Sequence, residues 1–323
     1  MSTESNGDSK MRCRYCGQLN KLASGKGEAT CGRCRLPLSD EPHKKFANLK
    51  ADAYIHPYDV QALKTLKMIP GVDSILKKLL EVTHEAYMRV VFNANSVKVG
   101  PDQYPDLDAK LDIVCCTLGV PKPDLYVSVT NPFGGGGLGF NAFTGGVEKP
   151  FIVVFAPLIE RLTDQEVFAV LGHEVGHIHA QHLLYKVAAE LLMFITHTAL
   201  GYSPLAAVAT LVTLPIQMAL LNWYHKAELS CDRAGLLVTQ DPSVIVSTMM
   251  KLAGGNLAAK VNYEEFINQA RQFQKNYEEK WLDKIWTMIA AGGMSHPFPV
   301  WRVSEILEWV DEGGYKKVMD EES

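Results

Sequence analysis

Two histidines four residues apart with a glutamate between them, His173-Glu174-Val175-Gly176-His177, constrain this chain of 323 residues more than any other run in it. On a helix a four-residue step puts both imidazoles on one face, at a separation that one metal ion can bridge, and Glu174 projects beside them. The pattern therefore demands a helix, and the preceding residues supply its start. Thr163 is a candidate N-cap, Glu166 three residues later completes a capping box, and the apolar run Val167-Phe168-Ala169-Val170-Leu171 follows. A metal held by two histidines needs a third protein ligand. Glu228 supplies one within Glu228-Leu229-Ser230-Cys231-Asp232, and Asp232, one helical turn later, is placed to accept the hydrogen bond of His173 and fix its tautomer.

Zinc in such a site lowers the pKa of a bound water to roughly 7 and polarises a carbonyl, while Glu174 removes the water's proton as general base. That chemistry hydrolyses a peptide bond without a covalent intermediate. His179 and His182 also lie near the motif, but neither continues the ligand face of the helix, and both read as surface or packing histidines. A third histidine six residues after His177 would complete a different zinc set, and that position is Leu183.

Four of the seven cysteines form a second metal pattern. Cys13-x2-Cys16 and Cys31-x2-Cys34, with fourteen residues between the pairs, fit a tetrahedral four-cysteine zinc ribbon. A redox CxxC is the weaker reading, because no βαβ pattern follows the pairs. Cys115, Cys116 and Cys231 read as buried apolar residues. An odd cysteine count with two CxxC pairs suits a reducing compartment, and the polar start MSTESNGDSK lacks the apolar core of a signal peptide. The expectation is residence on the cytoplasmic side.

Organisation follows from these landmarks. Residues 1–10 read as a disordered tail, 11–40 as the ribbon, 41–58 as a linker and 59–323 as the metal-binding domain. The overall class expected is α+β, predominantly helical. Val60, Leu63, Leu66, Ile75, Leu79, Val82 and Tyr87 recur at helical steps from Asp59 to about Asn93, broken at Pro70-Gly71, which predicts two helices. Residues 125–129 alternate as a strand, 139–144 and 151–155 read as two more, and the glycines at 134–137 as a flexible loop. Across 256–290, Tyr263, Phe266, Ile267, Phe273, Tyr277, Trp281 and Ile285 predict a helix pair walling the cleft.

Taken with Asn141-Ala142-Phe143 ahead of a short strand, the LGHEVGHIHAQH and ELSCDRAGLL helices, and the late Ser295-His296-Pro297 with Arg302, the chain resembles a gluzincin metallopeptidase family. That family contains the HtpX heat-shock protease and the CAAX prenyl endopeptidase, and the resemblance runs over about residues 120–309. It implies a zincin-type metalloprotease domain with a small sheet beside the active-site helix. It also implies roles for particular residues. Asn141, Ala142 and Phe143 would belong to an edge strand that binds substrate backbone by β-augmentation. His296 would donate to the tetrahedral oxyanion, with Arg302 close to the site.

No charged residue occurs from 191 to 224, where membrane members of that family insert two transmembrane helices. Gly201, Ser203-Pro204 and Pro215 divide the run, so a hydrophobic helical hairpin at about 187–224 is expected either to enter a membrane or to lie buried. The leading function is zinc-dependent endopeptidase, with one catalytic and one structural zinc and a protein or peptide substrate. The alternative is a latent or inactive zinc-binding scaffold acting through its ribbon, which would dock a protein partner. Residues 1–50 carry ten Lys/Arg against five Asp/Glu, yet the whole chain has a net charge of −4, which disfavours nucleic acid as a partner.

Overall fold

Thr163 caps the helix that carries the histidine motif: its side chain accepts from the Glu166 backbone N–H, and the Glu166 carboxylate accepts from the Thr163 N–H at 2.6 Å. The computed structural model describes residues 10–22, 29–46, 48–74, 76, 85–129, 140–189, 204–279 and 298–321. It is predominantly helical with two small sheets, the α+β class expected.

The chain begins with a short antiparallel pair, β1 (Lys10–Arg12) and β2 (Leu19–Lys21). Helix α1 (Pro57–Lys67) and helix α2 (Glu85–Asn95) precede β3 (Val97–Lys98) and helix α3 (Pro105–Leu118). Strands β4 (Asp124–Ser128), β5 (Ala142–Gly145) and β6 (Phe151–Phe155) complete a four-stranded sheet of order β3-β4-β6-β5. β4 and β6 run parallel with Asp124 opposite Phe151, and β5 is antiparallel to β6 with Ala142 opposite Val154. The central position of β6 explains why all five of its residues are buried, whereas β5 lies at an edge. The glycines at 134–137 lie outside the described residues.

Helix α4 (Ala156–Arg161) leads into α5 (Asp164–His179), the motif helix; residues 183–189 are again helical. Then come α6 (Pro204–Thr239), α7 (Pro242–Gly254), α8 (Tyr263–Glu279), α9 (Pro299–Asp311) and α10 (Gly314–Glu321). Of the expected hairpin at about 187–224, residues 190–203 lie outside the described residues. Its second arm is the first part of α6, which continues through Pro215 and carries Glu228 and Asp232 on the same rod. Pro215 thus does not divide the segment; a proline inside a long helix removes one backbone hydrogen bond without ending it when packing holds the rest. Among the described residues, no helix is long and apolar enough to cross a membrane. Of the helix pair expected at 256–290, α8 is present and residues 280–297 lie outside the described residues.

Helices α5 and α6 touch along a seam of small residues. A Cβ added to Gly176 would stand 2.7 Å from Ala234 Cβ, and one added to Gly172 would stand 3.1 Å from Gly235 Cα. Only hydrogen at these positions lets the two backbones approach closely enough for side chains of one helix to meet those of the other. Gly176→Ala is therefore expected to destabilise the fold by about 1–3 kcal/mol through overpacking, read as a lower urea midpoint at unchanged m.

The described residues among the first forty are built onto this scaffold. Tyr15, Cys13, Cys31, Cys34 and Leu36 share one apolar core with Phe168 and Leu171 of α5 and with Val238 of α6. Tyr15 meets Phe168 edge-on at 5.7 Å, and His43 lies 4.6 Å from Tyr15. The segment expected as a linker, 41–58, is packed along the domain rather than strung between units. His43 Nε2 lies 2.8 Å from the Val238 carbonyl, the Gln240 side chain pairs with both backbone groups of Lys44, and Phe46 and Tyr54 are buried.

Candidate metal centre and active site

Four thiols converge near the N-terminus. Cys13 Sγ lies 3.7 Å from Cys34 Sγ and Cys16 Sγ 3.6 Å from Cys31 Sγ, with all four sulfurs within 4.8 Å of one another. A tetrahedral site with Zn–S bonds of about 2.3 Å has edges of about 3.8 Å, so the thiols fit one zinc ion. Each CxxC pair sits on the same kind of turn. Gly17 N–H bonds the Cys13 carbonyl and Arg35 N–H the Cys31 carbonyl, both at 2.9 Å, and both residues take left-handed φ, 76° and 62°. The contact between Cys13 and Cys34 lowers the Cys13 thiol and raises that of Cys34, so Cys13 is the one of the pair that gives up its proton first.

The second cluster is made by α5 and α6. His173 Nε2 lies 3.3 Å from Glu228 Oε2, and His177 Nε2 lies 3.1 Å from Glu228 Oε1. All three side chains are at most a tenth exposed. Nitrogen and oxygen ligands at about 2.1 Å from a tetrahedral ion stand about 3.4 Å apart, so each of these two N···O contacts matches an edge of a zinc site. The Nε2 of His177 makes no hydrogen bond despite its burial, which suits a lone pair reserved for a cation. Ligand atoms of His173, His177 and Cys231 also lie within 4.8 Å of one another. Cys231 Sγ, however, approaches His182 Nδ1 at 3.7 Å, the same atom that faces His177 Nδ1, whereas Glu228 faces both Nε2 atoms. Glu228 thus faces the Nε2 atoms of the two rings, and Cys231 lies on the Nδ1 side of His182.

Behind His173, Asp232 Oδ1 stands 3.0 Å from its Nδ1, and Arg302 holds Asp232 through Nε at 2.7 Å and Nη2 at 2.5 Å. Arg302 Nη1 also lies 3.8 Å from Glu228. Burial opposes a charged His173, but Glu228 and Asp232 outweigh it and raise its pKa to about 9. At His177 burial wins, and the pKa falls well below the ordinary value. Burial would raise the Asp232 carboxyl, yet Arg302 and His173 hold it below its usual range.

Glu174 is buried, and Thr144 of β5 donates its hydroxyl to Glu174 Oε2 at 2.6 Å. The edge strand and the carboxylate are thereby locked together. Alternation along β5 places Ala142 and Thr144 against the body of the domain and leaves Phe143 partly buried, 5.3 Å from Phe92. Asn141 precedes the strand; its Oδ1 accepts from the Ala142 N–H, and its carbonyl accepts from the Phe155 N–H. Ser295, His296 and Pro297 lie outside the described residues.

Of the two histidines read as surface or packing residues, both are packed: His182 is 2% exposed and stands against His177, and His179 meets Tyr54 Oη and the Leu49 carbonyl. Helical spacing does not reach His182 because α5 ends at His179, and Gln181, at a left-handed φ of 57°, folds the chain back. Thr144 escaped notice too: nothing in its local sequence marks a hydroxyl that meets a carboxylate thirty residues later.

A model of peptidase family M48 matches residues 101–310. The chain is 37% identical over 292 residues to the plastoglobule-localized metallopeptidase 48, chloroplastic, of Arabidopsis thaliana, across 89% of this chain and 81% of that protein. It is 25% identical over 174 residues to protease HtpX of Legionella pneumophila, across 47% of this chain and 57% of that protein. It is 22% identical over 187 residues to protease HtpX homolog 2 of Methanosarcina acetivorans, across 51% and 60%. The chain thus spans somewhat more than half the length of these HtpX relatives. No solved structure matches it.

Proposed function

This chain belongs to peptidase family M48, and from that membership we propose that it is a zinc-dependent endopeptidase using His173, His177 and Glu228 as metal ligands and Glu174 as general base. The observation that carries the reading is that His173 and His177 both meet the one Glu228 carboxylate, at 3.3 and 3.1 Å, with Glu174 on the same helix between the two histidines. When bound there, zinc supplies Lewis acidity toward a carbonyl and a lowered pKa for water.

The chain's own groups do the rest. Glu174 takes the proton of the attacking water as its oxygen bonds to the scissile carbonyl carbon, and returns it to the leaving nitrogen as the C–N bond breaks. Thr144 holds Glu174 in place for both transfers. Asp232 and Arg302 hold His173 in its metal-binding tautomer. β5, at the edge of the described sheet, with Asn141, Ala142 and Phe143, receives an extended substrate by backbone pairing, so the substrate is a protein or peptide presented unfolded at the cleavage point. His296 is given the role of stabilising the oxyanion.

The second zinc is structural, held by Cys13, Cys16, Cys31 and Cys34. None of the seven cysteines forms a disulfide, and the four assigned to zinc need reduced thiols, which supports residence in a reducing compartment on the cytoplasmic side. A membrane surface as a further partner rests on the uncharged run 191–224.

Cleavage of casein by the purified full chain tests the reading. Activity is expected to disappear on chelation and to return with added zinc. A preparation carrying two zinc ions per chain that cleaves no unfolded protein would favour the scaffold alternative instead.

A further inference from the structure

A second chain of hydrogen bonds meets the site from behind His177. Nδ1 of His177 lies 3.3 Å from Nδ1 of His182, and Nε2 of His182 lies 3.0 Å from Asp59 Oδ2. Asp59 also accepts the Trp223 indole N–H at 2.9 Å and the Ser230 hydroxyl at 2.6 Å. Ser230 Oγ accepts in turn from the His56 backbone N–H at 3.0 Å. Asp59 and His182 are each 2% exposed. A carboxylate at that depth is costly unless donors converge on it, and here three do.

A metal at Nε2 of His177, the reading on which this inference rests, fixes every proton in the chain. A ring nitrogen that binds a metal carries no proton, so His177 keeps its proton on Nδ1 and donates from there. His182 Nδ1 then accepts, which puts the His182 proton on Nε2, where it is donated to Asp59. The Cys231 thiol, 3.7 Å from His182 Nδ1, is a weak donor competing for the same lone pair.

We propose that Asp59 and His182 are positioning residues of the metal centre, orienting His177 as Asp232 and Arg302 orient His173. The two ligand histidines would then be held by two separate carboxylates, Asp232 directly and Asp59 through an intervening imidazole. Asp59 stands on α1, ahead of the residues 101–310 that match the family. The N-terminal segment is thereby part of the metal centre and not only a support for the fold.

Zinc-loaded wild type, Asp59→Asn, His182→Gln and Ser230→Ala, each as the full chain, are challenged with a chelator of known affinity. Retention of the ribbon zinc reports an intact fold. Asp59→Asn and His182→Gln are expected to release the second zinc at 10- to 100-fold lower chelator strength. Their cobalt-loaded forms should show altered d–d bands for the nitrogen- and oxygen-ligated ion and an unchanged thiolate band. Ser230→Ala, which removes one donor from Asp59, is expected to weaken the second zinc several-fold, and it decides the matter if the other two variants do not fold. Wild-type affinity and cobalt bands in every folded variant would overturn the proposal. A wild-type chain binding only the ribbon zinc would instead overturn the metal-centre reading beneath it.

Discussion

Glu174→Gln is expected to lower the rate of peptide-bond cleavage by about 10²–10⁴-fold, the range that general acid–base catalysis contributes, while both zinc ions stay bound. The amide keeps the shape of the carboxylate and still offers Thr144 a carbonyl oxygen at the position now 2.6 Å from its hydroxyl. What it loses is the ability to take a proton from water. Because Glu174 takes no part in the contacts that join His173 and His177 to Glu228, zinc content should not change. The measurement is casein cleavage alongside metal analysis on the same sample. A variant that cleaves like wild type would remove Glu174 from the mechanism, and one that loses its second zinc would make it a ligand.

Cys31→Ser is expected to have the largest effect on stability, even though it lies far along the chain from the catalytic residues. In isolated zinc fingers, structural zinc contributes an apparent 10–16 kcal/mol or so to folding. Here the ribbon is one face of the core that includes Phe168 and Leu171 of the active-site helix. Arg35 also reaches Asp164, the first residue of that helix, at 3.3 Å. Losing the ribbon metal should therefore loosen the start of α5 and not only a peripheral loop. A loss of about 3 kcal/mol or more is expected, on the order of 10 °C in Tm for a domain of this size. Thermal melts of wild type and variant read it directly. An unchanged Tm would mean the ribbon is an appendage whose contacts with Tyr15 and Phe168 contribute little.

The parts legible in the sequence were those with local periodic or spacing signals. The capping box at Thr163 and Glu166, the histidine step on α5, the four-residue step from Glu228 to Asp232 and the two CxxC pairs all sit at fixed offsets that geometry converts into faces and turns. The strand at 151–155 was readable because a central strand is apolar throughout. What was not legible depends on chain reversals and distant meetings. His182 reaches His177 only because of a left-handed residue at Gln181, and Asp59 reaches His182 across more than a hundred residues. The segment 41–58 looks like a linker by composition, yet His43 and Lys44 bond to Val238 and Gln240, and Leu49 and Tyr54 bond to His179, contacts that exist only once α5 and α6 are packed. Pro215 reads as a breaker locally and is carried inside a 36-residue helix.

Zinc per chain, measured on wild type and on Glu228→Gln after exhaustive dialysis against metal-free buffer, addresses the central assignment most directly. Two zinc ions in the wild type and one in the variant, with the ribbon ion retained and cleavage lost, is the result expected of a site built by His173, His177 and Glu228. Two ions in both proteins, or one in both, would contradict it.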